Sequence, residues 1–403
     1  MNAILDTNAL IDGIDLEQFD KVWVSVPVVE ELDNLKLNKN IELARSAKKA
    51  IRTIRNAKNV EIRFNCACSI PLNTTLADNL IIAYAKEIQA IDTDAVFISA
   101  DNAAILKATH LGLKCEYFDK DALCSAGSEY HGYKEVKMSD YELAVFYECK
   151  TNKWSLKDNE YLIIYNSDGD VVDKMRWTSS KGFVPLFKKA FDSMAIGKFK
   201  AKDVYQECAM DSIMNTEMSI LVGAAGTAKT LVSLAYIMQE LQNGNRGRCV
   251  IIFSTMELRN NKAIGFLPGT SNEKLLGSTL GGILSAKLGD MLVVNQLIAQ
   301  GKLLLIPSCS IRGFETMDGD CLFVTEAQNM DVYTLKTVLQ RAKDGTKVII
   351  EGDIDEQVDS DYCAGRFNGM MRAIETFAGK KVFSTVRLKN IYRGEIANIA
   401  QNM

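Results

Sequence analysis

Two groups of residues in this 403-residue chain have types and spacings suited to phosphate chemistry. The first is the run Gly223-Ala224-Ala225-Gly226-Thr227-Ala228-Lys229-Thr230. It follows the apolar stretch Ile220-Leu221-Val222 and precedes a helical pattern over 231–241. Strand, glycine-containing loop, Lys-Thr and helix make up the context a phosphate-binding loop requires. The loop's backbone N–H groups and the helix N-terminus form a pocket for polyanions. Lys229 is expected to reach the β- and γ-phosphates, and the Thr230 hydroxyl to ligate magnesium. ATP with Mg2+ or Mn2+ is the expected cofactor pair. Alanine stands at 228 where the usual pattern has glycine. One methyl and a helical φ leave phosphate binding intact in this reading. On the residues alone, the rival is a glycine-rich turn with a chance lysine.

A phosphate loop needs a second element, an apolar strand ending in acid. Cys321-Leu322-Phe323-Val324 runs into Thr325-Glu326-Ala327-Gln328-Asn329. The first position after such a strand is usually an aspartate that holds magnesium through water; here it is Thr325. Glu326 is then the candidate to polarise the attacking water; it could instead cap the following helix.

The second group is acidic. Asp6 ends the first apolar run, Glu31 lies early in a helical stretch, Asp78 opens Asp78-Asn79-Leu80-Ile81-Ile82, and Asp101 follows a run at 96–99. In a parallel α/β sheet, strand C-ends and helix N-ends converge on one edge. Four carboxylates gathered there repel unless a divalent cation neutralises them. Such a cation polarises a phosphodiester and activates water. Taken singly, Asp78 and Asp101 read as helix N-caps and Glu31 as a surface residue.

These residues need sheets to hold them. Apolar runs at 3–5, 22–26, 96–99 and 115–118 read as strands, with helical patterns at 28–37, 41–58 and 77–90. This alternation predicts a parallel sheet with helices on both faces. Residues 121–140 read as a linker, and 141–190 as a β-rich module with a hairpin around Asn166-Ser167-Asp168-Gly169-Asp170. Strand-like runs return at 219–222, 249–253, 303–306, 321–324 and 347–350. The expected fold is α/β in three parts: a parallel-sheet domain over 1–120, a linker and β-containing connector over 121–198, and a P-loop domain over 199–403.

Composition narrows the chemistry. Two histidines, His110 and His131, argue against imidazole catalysis and His-ligated metals. Ten cysteines with no Cys-x-x-Cys pair read as reduced, mostly buried thiols. The N-terminus lacks a basic, then apolar, leader, and no run approaches the ~20 apolar residues of a membrane span, so a cytoplasmic protein with no membrane partner is expected. Net charge is −4, so any nucleic-acid contact must be local. One candidate is 36–63, where Arg45, Lys48, Lys49, Arg52, Arg55 and Lys58 face away from Leu43, Ala47, Ala50, Ile51 and Ile54. The plain reading of that stretch is a solvated helix face.

Several phrases together resemble the PhoH-like ATPases: the loop, then Gly265-Phe266-Leu267-Pro268-Gly269-Thr270, then Glu326-Ala327-Gln328-Asn329, then Gly352-Asp353. The resemblance covers about the last 200 residues and implies a RecA-like core, often a hexameric ring, with single-stranded RNA as partner. It implies that Gln206 reads adenine, that Gln357 senses γ-phosphate, and that Arg393 stabilises transition-state charge. Arg341 and Arg312 are secondary candidates for phosphate or RNA. Departures stand at Thr325, Ala228, Met256 and the displaced Gln357. The acids, with Asp6-Thr7-Asn8 and Ser99-Ala100-Asp101, resemble a PIN-domain nuclease over 1–120. That implies Asp6, Glu31, Asp78 and Asp101 as Mg2+ or Mn2+ ligands with Asn8 in support. The combination implies an ATPase or RNA helicase motor joined to an endoribonuclease. Its rivals are a nucleotide-gated RNA-binding protein with a silent nuclease site, and a small-molecule kinase, which the family phrases disfavour.

Overall fold

Short apolar runs without alternation predict strands buried on both faces, and the unit Met1–Leu123 is built on them. The computed structural model describes residues 1–38, 41–118, 130–187, 189–254, 279–354, 363 and 368–392. In the first unit β1 (Asn2–Leu5), β2 (Lys21–Ser25), β3 (Val60–Arg63), β4 (Ala95–Ser99) and β5 (Cys115–Tyr117) form one sheet in the order β3-β2-β1-β4-β5. Every pairing is parallel. Helices α1 (Thr7–Ile11), α2 (Val26–Leu35), α3 (Ile41–Asn56), α4 (Ala77–Ile91) and α5 (Asn102–His110) make the crossovers. Central β1 buries Ala3, Ile4 and Leu5 completely or nearly so. The edge strand β3 is absent from the sequence reading. Glu61 and Arg63 interrupt its apolar residues, and it is only partly buried, so it carries no continuous hydrophobic signal. Helix α3 buries Ala47, Ala50 and Ile54 in the core, while Arg45, Lys48, Lys49, Arg52 and Arg55 are exposed.

The second unit is Cys124–Met403. Its main sheet has the order β14-β13-β15-β16-β12-β17, all parallel. The strands are β12 (Met218–Val222), β13 (Cys249–Phe253), β14 (Leu303–Pro307), β15 (Cys321–Thr325), β16 (Lys347–Gly352) and β17 (Phe383–Arg387). Successive residues point to opposite faces. Leu221, Ile251, Phe323 and Ile349 pack on one face with helices that include Val204–Asn215 and Lys229–Gln242. Ile220, Ile252, Val324 and Ile350 pack on the other with Val332–Leu339 and Gly369–Phe377. Because both faces are covered, the strands read as unbroken apolar runs. Strand β17, Phe-Ser-Thr-Val-Arg, was not anticipated, because its polar residues are paired rather than solvated: Thr385 Oγ1 donates to Ile220 O at 3.1 Å.

The connector is part of this second unit. Strands β6 (Tyr133–Lys137), β7 (Tyr161–Tyr165), β8 (Val171–Thr178) and β9 (Gly182–Pro185) form a four-stranded sheet, and β10 (Phe191–Ser193) and β11 (Gly197–Phe199) a separate antiparallel pair. The β7–β8 hairpin turns where the sequence indicates, at Asn166 to Asp170. The expected linker over 121–140 is corrected: β6 lies within it and pairs in parallel with β7. The helix Asp140–Cys149 corrects the purely β reading of the next stretch; Ser139 and Glu142 close its N-terminus as a capping box. Docking is polar and specific. Asn159 Nδ2 donates to Lys381 O and Phe383 O, at 2.8 and 3.0 Å. Arg176 pairs at 2.8 Å with Asp211, a fully buried carboxylate that also accepts from Tyr161 Oη and Phe187 N. At Gly132, with φ +78°, an added Cβ would stand 1.7 Å from Thr385 O, so the backbones approach too closely for a side chain. Thiols are less buried than expected: of the nine described cysteines, all free, only Cys208, Cys249, Cys321 and Cys363 are buried. Among the described residues no helix is long and apolar enough to cross a membrane.

Candidate functional site

The phosphate loop lies at the C-terminal end of β12. The helix Lys229–Gln242, here α8, starts immediately after Ala228. The other described helices of the second unit are α6 (Asp140–Cys149), α7 (Val204–Asn215), α9 (Thr279–Leu288), α10 (Met291–Ala299), α11 (Val332–Leu339) and α12 (Gly369–Phe377). Ala228 has φ +75°, not the helical value expected. Left-handed backbone explains why glycine is usual there: alanine crowds its Cβ against the following carbonyl. Lys229 Nζ donates to its own loop, to Gly223 O and to Ala224 O, the latter at 3.0 Å. Thr227 Oγ1 donates to Ala224 O at 2.9 Å and braces the loop.

Ala225, Gly226, Ala228, Lys229 and Thr230 line a cavity of about 370 Å³. Gln206, Glu326, Glu351 and Tyr392 line the same cavity. Gln206, on α7, is 1% exposed; its Oε1 accepts from Lys202 N at 3.0 Å and its Nε2 donates to Thr227 O at 3.4 Å. The glutamine is thereby fixed beside the loop. Glu326 has φ +51° and makes no side-chain cap bond, so capping does not explain it. Gln328 Nε2 donates to Glu326 Oε2 at 2.6 Å, while Gln328 Oε1 accepts from Asp353 N at 3.2 Å. One glutamine thus ties the Glu-Ala-Gln-Asn phrase to the Gly-Asp phrase. Arg312 donates to Tyr333 Oη at 2.9 Å. Neither it nor Arg341 belongs to this cavity lining. Met256, the phrase at 265–270, Gln357 and Arg393 lie outside the described residues.

Glu351 was missed in the sequence. It accepts from Thr230 Oγ1 with both carboxylate oxygens at 3.0 Å, and from Thr325 Oγ1 at 2.5 Å. It is 1% exposed. Burial pushes its carboxyl above the ordinary range and the charge of Glu326 adds to this, against Lys229 and the two threonine hydrogen bonds. The available signal was an acid directly after Val348-Ile349-Ile350, where an interior strand has no ordinary use for one.

The N-terminal acids stand at the C-ends of β1 and β4 and on nearby helices. Asp6 is 5% exposed; Oδ1 accepts from Thr7 N at 2.7 Å and Oδ2 from Ser99 Oγ at 2.5 Å. Burial pushes its carboxyl up to about 6, opposed by those two bonds and reinforced by the charges of Glu31 and Asp78. Thr7 Oγ1 donates to Glu31 Oε2 at 2.6 Å. Asp78 sits in the first turn of α4, whose cap position is Leu76, so it is not the cap. Asp101 does cap α5, accepting from Ala103 N at 2.8 Å. Its own N–H donates to Ser99 Oγ at 2.9 Å, so Ser99, given no role of its own in the sequence motif, joins Asp6 to Asp101. Asn8 is exposed. Asp6, Glu31 and Asp78 therefore share one field. Among the described residues no three acidic, His or Cys groups stand close enough together to hold a metal ion. The donor set, oxygens only, suits a hard divalent cation.

A parallel sheet with a phosphate loop at its C-terminal edge defines a P-loop nucleotide-binding protein, here carrying a separate parallel α/β unit with an acidic edge. Family comparison agrees. A family model for PhoH-like proteins matches residues 198–403, and one for PIN domains matches residues 3–119. The chain belongs to the PhoH-like family and carries a PIN domain at its N-terminal end. It is 27% identical over 444 residues to Protein PhoH2 of Bacillus subtilis, covering 99% of both chains. It is 24% identical over 432 residues to Protein PhoH2 of Thermobispora bispora, covering 99% of this chain and 95% of that one. Among solved structures, Pif1 helicase from Candida albicans overlaps 51% of this chain with a TM-score of 0.27 and 14% identity, covering 43% of its own length, a likeness too low to argue from.

Proposed function

We propose that this protein is an ATP-dependent RNA-processing enzyme, in which the PhoH-like ATPase drives RNA and the PIN domain cuts it. The observation that carries the reading is the single cavity holding Lys229, Thr230, Glu326 and Gln206. Lys229 neutralises the β/γ-phosphates once it leaves its own loop's carbonyls, and the loop N–H groups hold the remaining oxygens. Thr230 Oγ1 would hold Mg2+, which when bound offsets phosphate charge. Glu326 orients the attacking water. Gln206 contacts the base, and Arg393 supplies late positive charge. In the PIN domain, Asp6, Glu31, Asp78 and Asp101 would hold Mg2+ or Mn2+, which would supply charge stabilisation at the phosphodiester. The oxygen-only donor set is what suits a hard divalent cation there. Single-stranded RNA, assembly of copies into a ring and a cytoplasmic location belong to the same proposal.

Lys229→Ala should abolish ATP turnover while leaving manganese-dependent cleavage of single-stranded RNA. Asp6→Asn should do the reverse. Turnover surviving in the first variant, or cleavage in the second, rejects the assignment of that site. One observation favours a second reading, RNA binding gated by nucleotide with a silent nuclease site: the acids do not stand within joint reach of a cation. Labelled RNA incubated with the wild-type chain, manganese and no ATP separates the two readings, since only the first yields fragments.

A further inference from the structure

A P-loop enzyme holds its magnesium with the loop hydroxyl and with a carboxylate at the end of a neighbouring strand. Strand β15 ends instead in Thr325, a residue that cannot carry the charge. The carboxylate nearest the loop hydroxyl is on another strand. Thr325 and Glu351 follow the Val324–Ile350 register pair of β15 and β16, so they are neighbours on one face of the sheet. Strand β16 lies between β15 and the loop-bearing β12. From there Glu351 meets Thr230 Oγ1 with both oxygens at 3.0 Å and Thr325 Oγ1 at 2.5 Å, on the wall of the phosphate-loop cavity.

We propose that Glu351 is the carboxylate that holds the nucleotide's magnesium, supplied from β16 in place of the aspartate missing at Thr325. The inference rests on the ATPase reading and deepens it. The bland alternative is that Glu351 merely accepts two hydroxyl hydrogen bonds. A neutral amide would do that without a buried charge, which is costly when unpaired. Both carboxylate oxygens of Glu351 lie against the loop hydroxyl expected to hold the cation, and Glu351 lines the same cavity as Lys229. Thr325 becomes a positioning residue that orients Glu351. Glu326, in the same cavity, remains free to act on water.

The test is the affinity of the full-length chain for a fluorescent ATP analogue, measured with Mg2+ and in EDTA. In the wild type, Mg2+ should tighten binding. Glu351→Gln keeps the shape and should lose that tightening by about 10–100-fold, the usual effect of removing a carboxylate that supports a metal. Its affinity in EDTA should hold. Adding Thr325→Asp to Glu351→Gln should restore part of the magnesium effect. If Glu351→Gln does not fold, Glu351→Asp reads the same quantity, because its charge is withdrawn from the cation by one methylene. An unchanged magnesium effect in whichever variant folds overturns the inference. A wild-type chain that binds the analogue in neither condition overturns the nucleotide reading itself.

Discussion

At the residue scale, the loop carries a local cost. Ala228 at φ +75° sits where an L side chain is disfavoured by roughly 1–2 kcal/mol. Glycine relieves that, less the entropy it adds to the unfolded chain, roughly 0.4–1 kcal/mol. Ala228→Gly is therefore expected to raise stability by about 0.5–1 kcal/mol in urea unfolding. A loss of stability would show that the methyl makes a compensating contact. Asp6 gives a pH signature. Its carboxyl titrates near 3.8 when unfolded and about 6 when folded. Between those values the native state binds more protons, so metal-free stability falls as pH rises through the window and is flat above it. Asp6→Asn should flatten that decline, a difference on the order of 2–3 kcal/mol by pH 7. Parallel pH–stability curves for the two proteins would contradict the shift. Lys229 and Thr230 were legible because a phosphate loop is contiguous. Glu351 was not, because its partners Thr230 and Thr325 lie 121 and 26 residues away along the chain.

At the scale of elements, the parallel strands were readable wherever both faces are buried, because a run such as Val348-Ile349-Ile350 has no alternative environment. Strands β3, β6 and β17 were not, because their polar residues are justified only by neighbours. Ser384 Oγ donates to Asn159 O at 3.2 Å, a contact between a sheet and a module 225 residues apart. Asp211 shows what such contacts carry. On α7 it is fully buried and joins Arg176 of β8, Tyr161 of β7 and the Phe187 amide. Removing one partner of a buried pair strands the other's charge. Asp211→Ala should therefore cost about 3–5 kcal/mol, read from the urea midpoint. A cost below about 1 kcal/mol, the scale of an exposed pair, would mean the module is held mainly by its apolar contacts.

At the scale of the molecule, the chain is a PIN domain and a PhoH-like domain, each with its own core. With a net charge of −4, the proposed RNA contact would rest on local features such as the exposed basic face of α3. Replacing Lys48 and Arg52 with glutamate should weaken RNA binding and shallow its dependence on salt, as expected when phosphate contacts are lost. Binding curves in a salt series that superpose on the wild type would remove that face from the interface. The sequence by itself marked the two groups of residues, a contiguous loop and acids spaced to follow successive strands, since both depend on local order and strand period. Tertiary structure alone decided which acids share a field, which backbone angle Ala228 must adopt, and that a glutamate on β16 stands against the loop threonine. Those are properties of strand order, and strand order is set by packing between segments far apart in the chain.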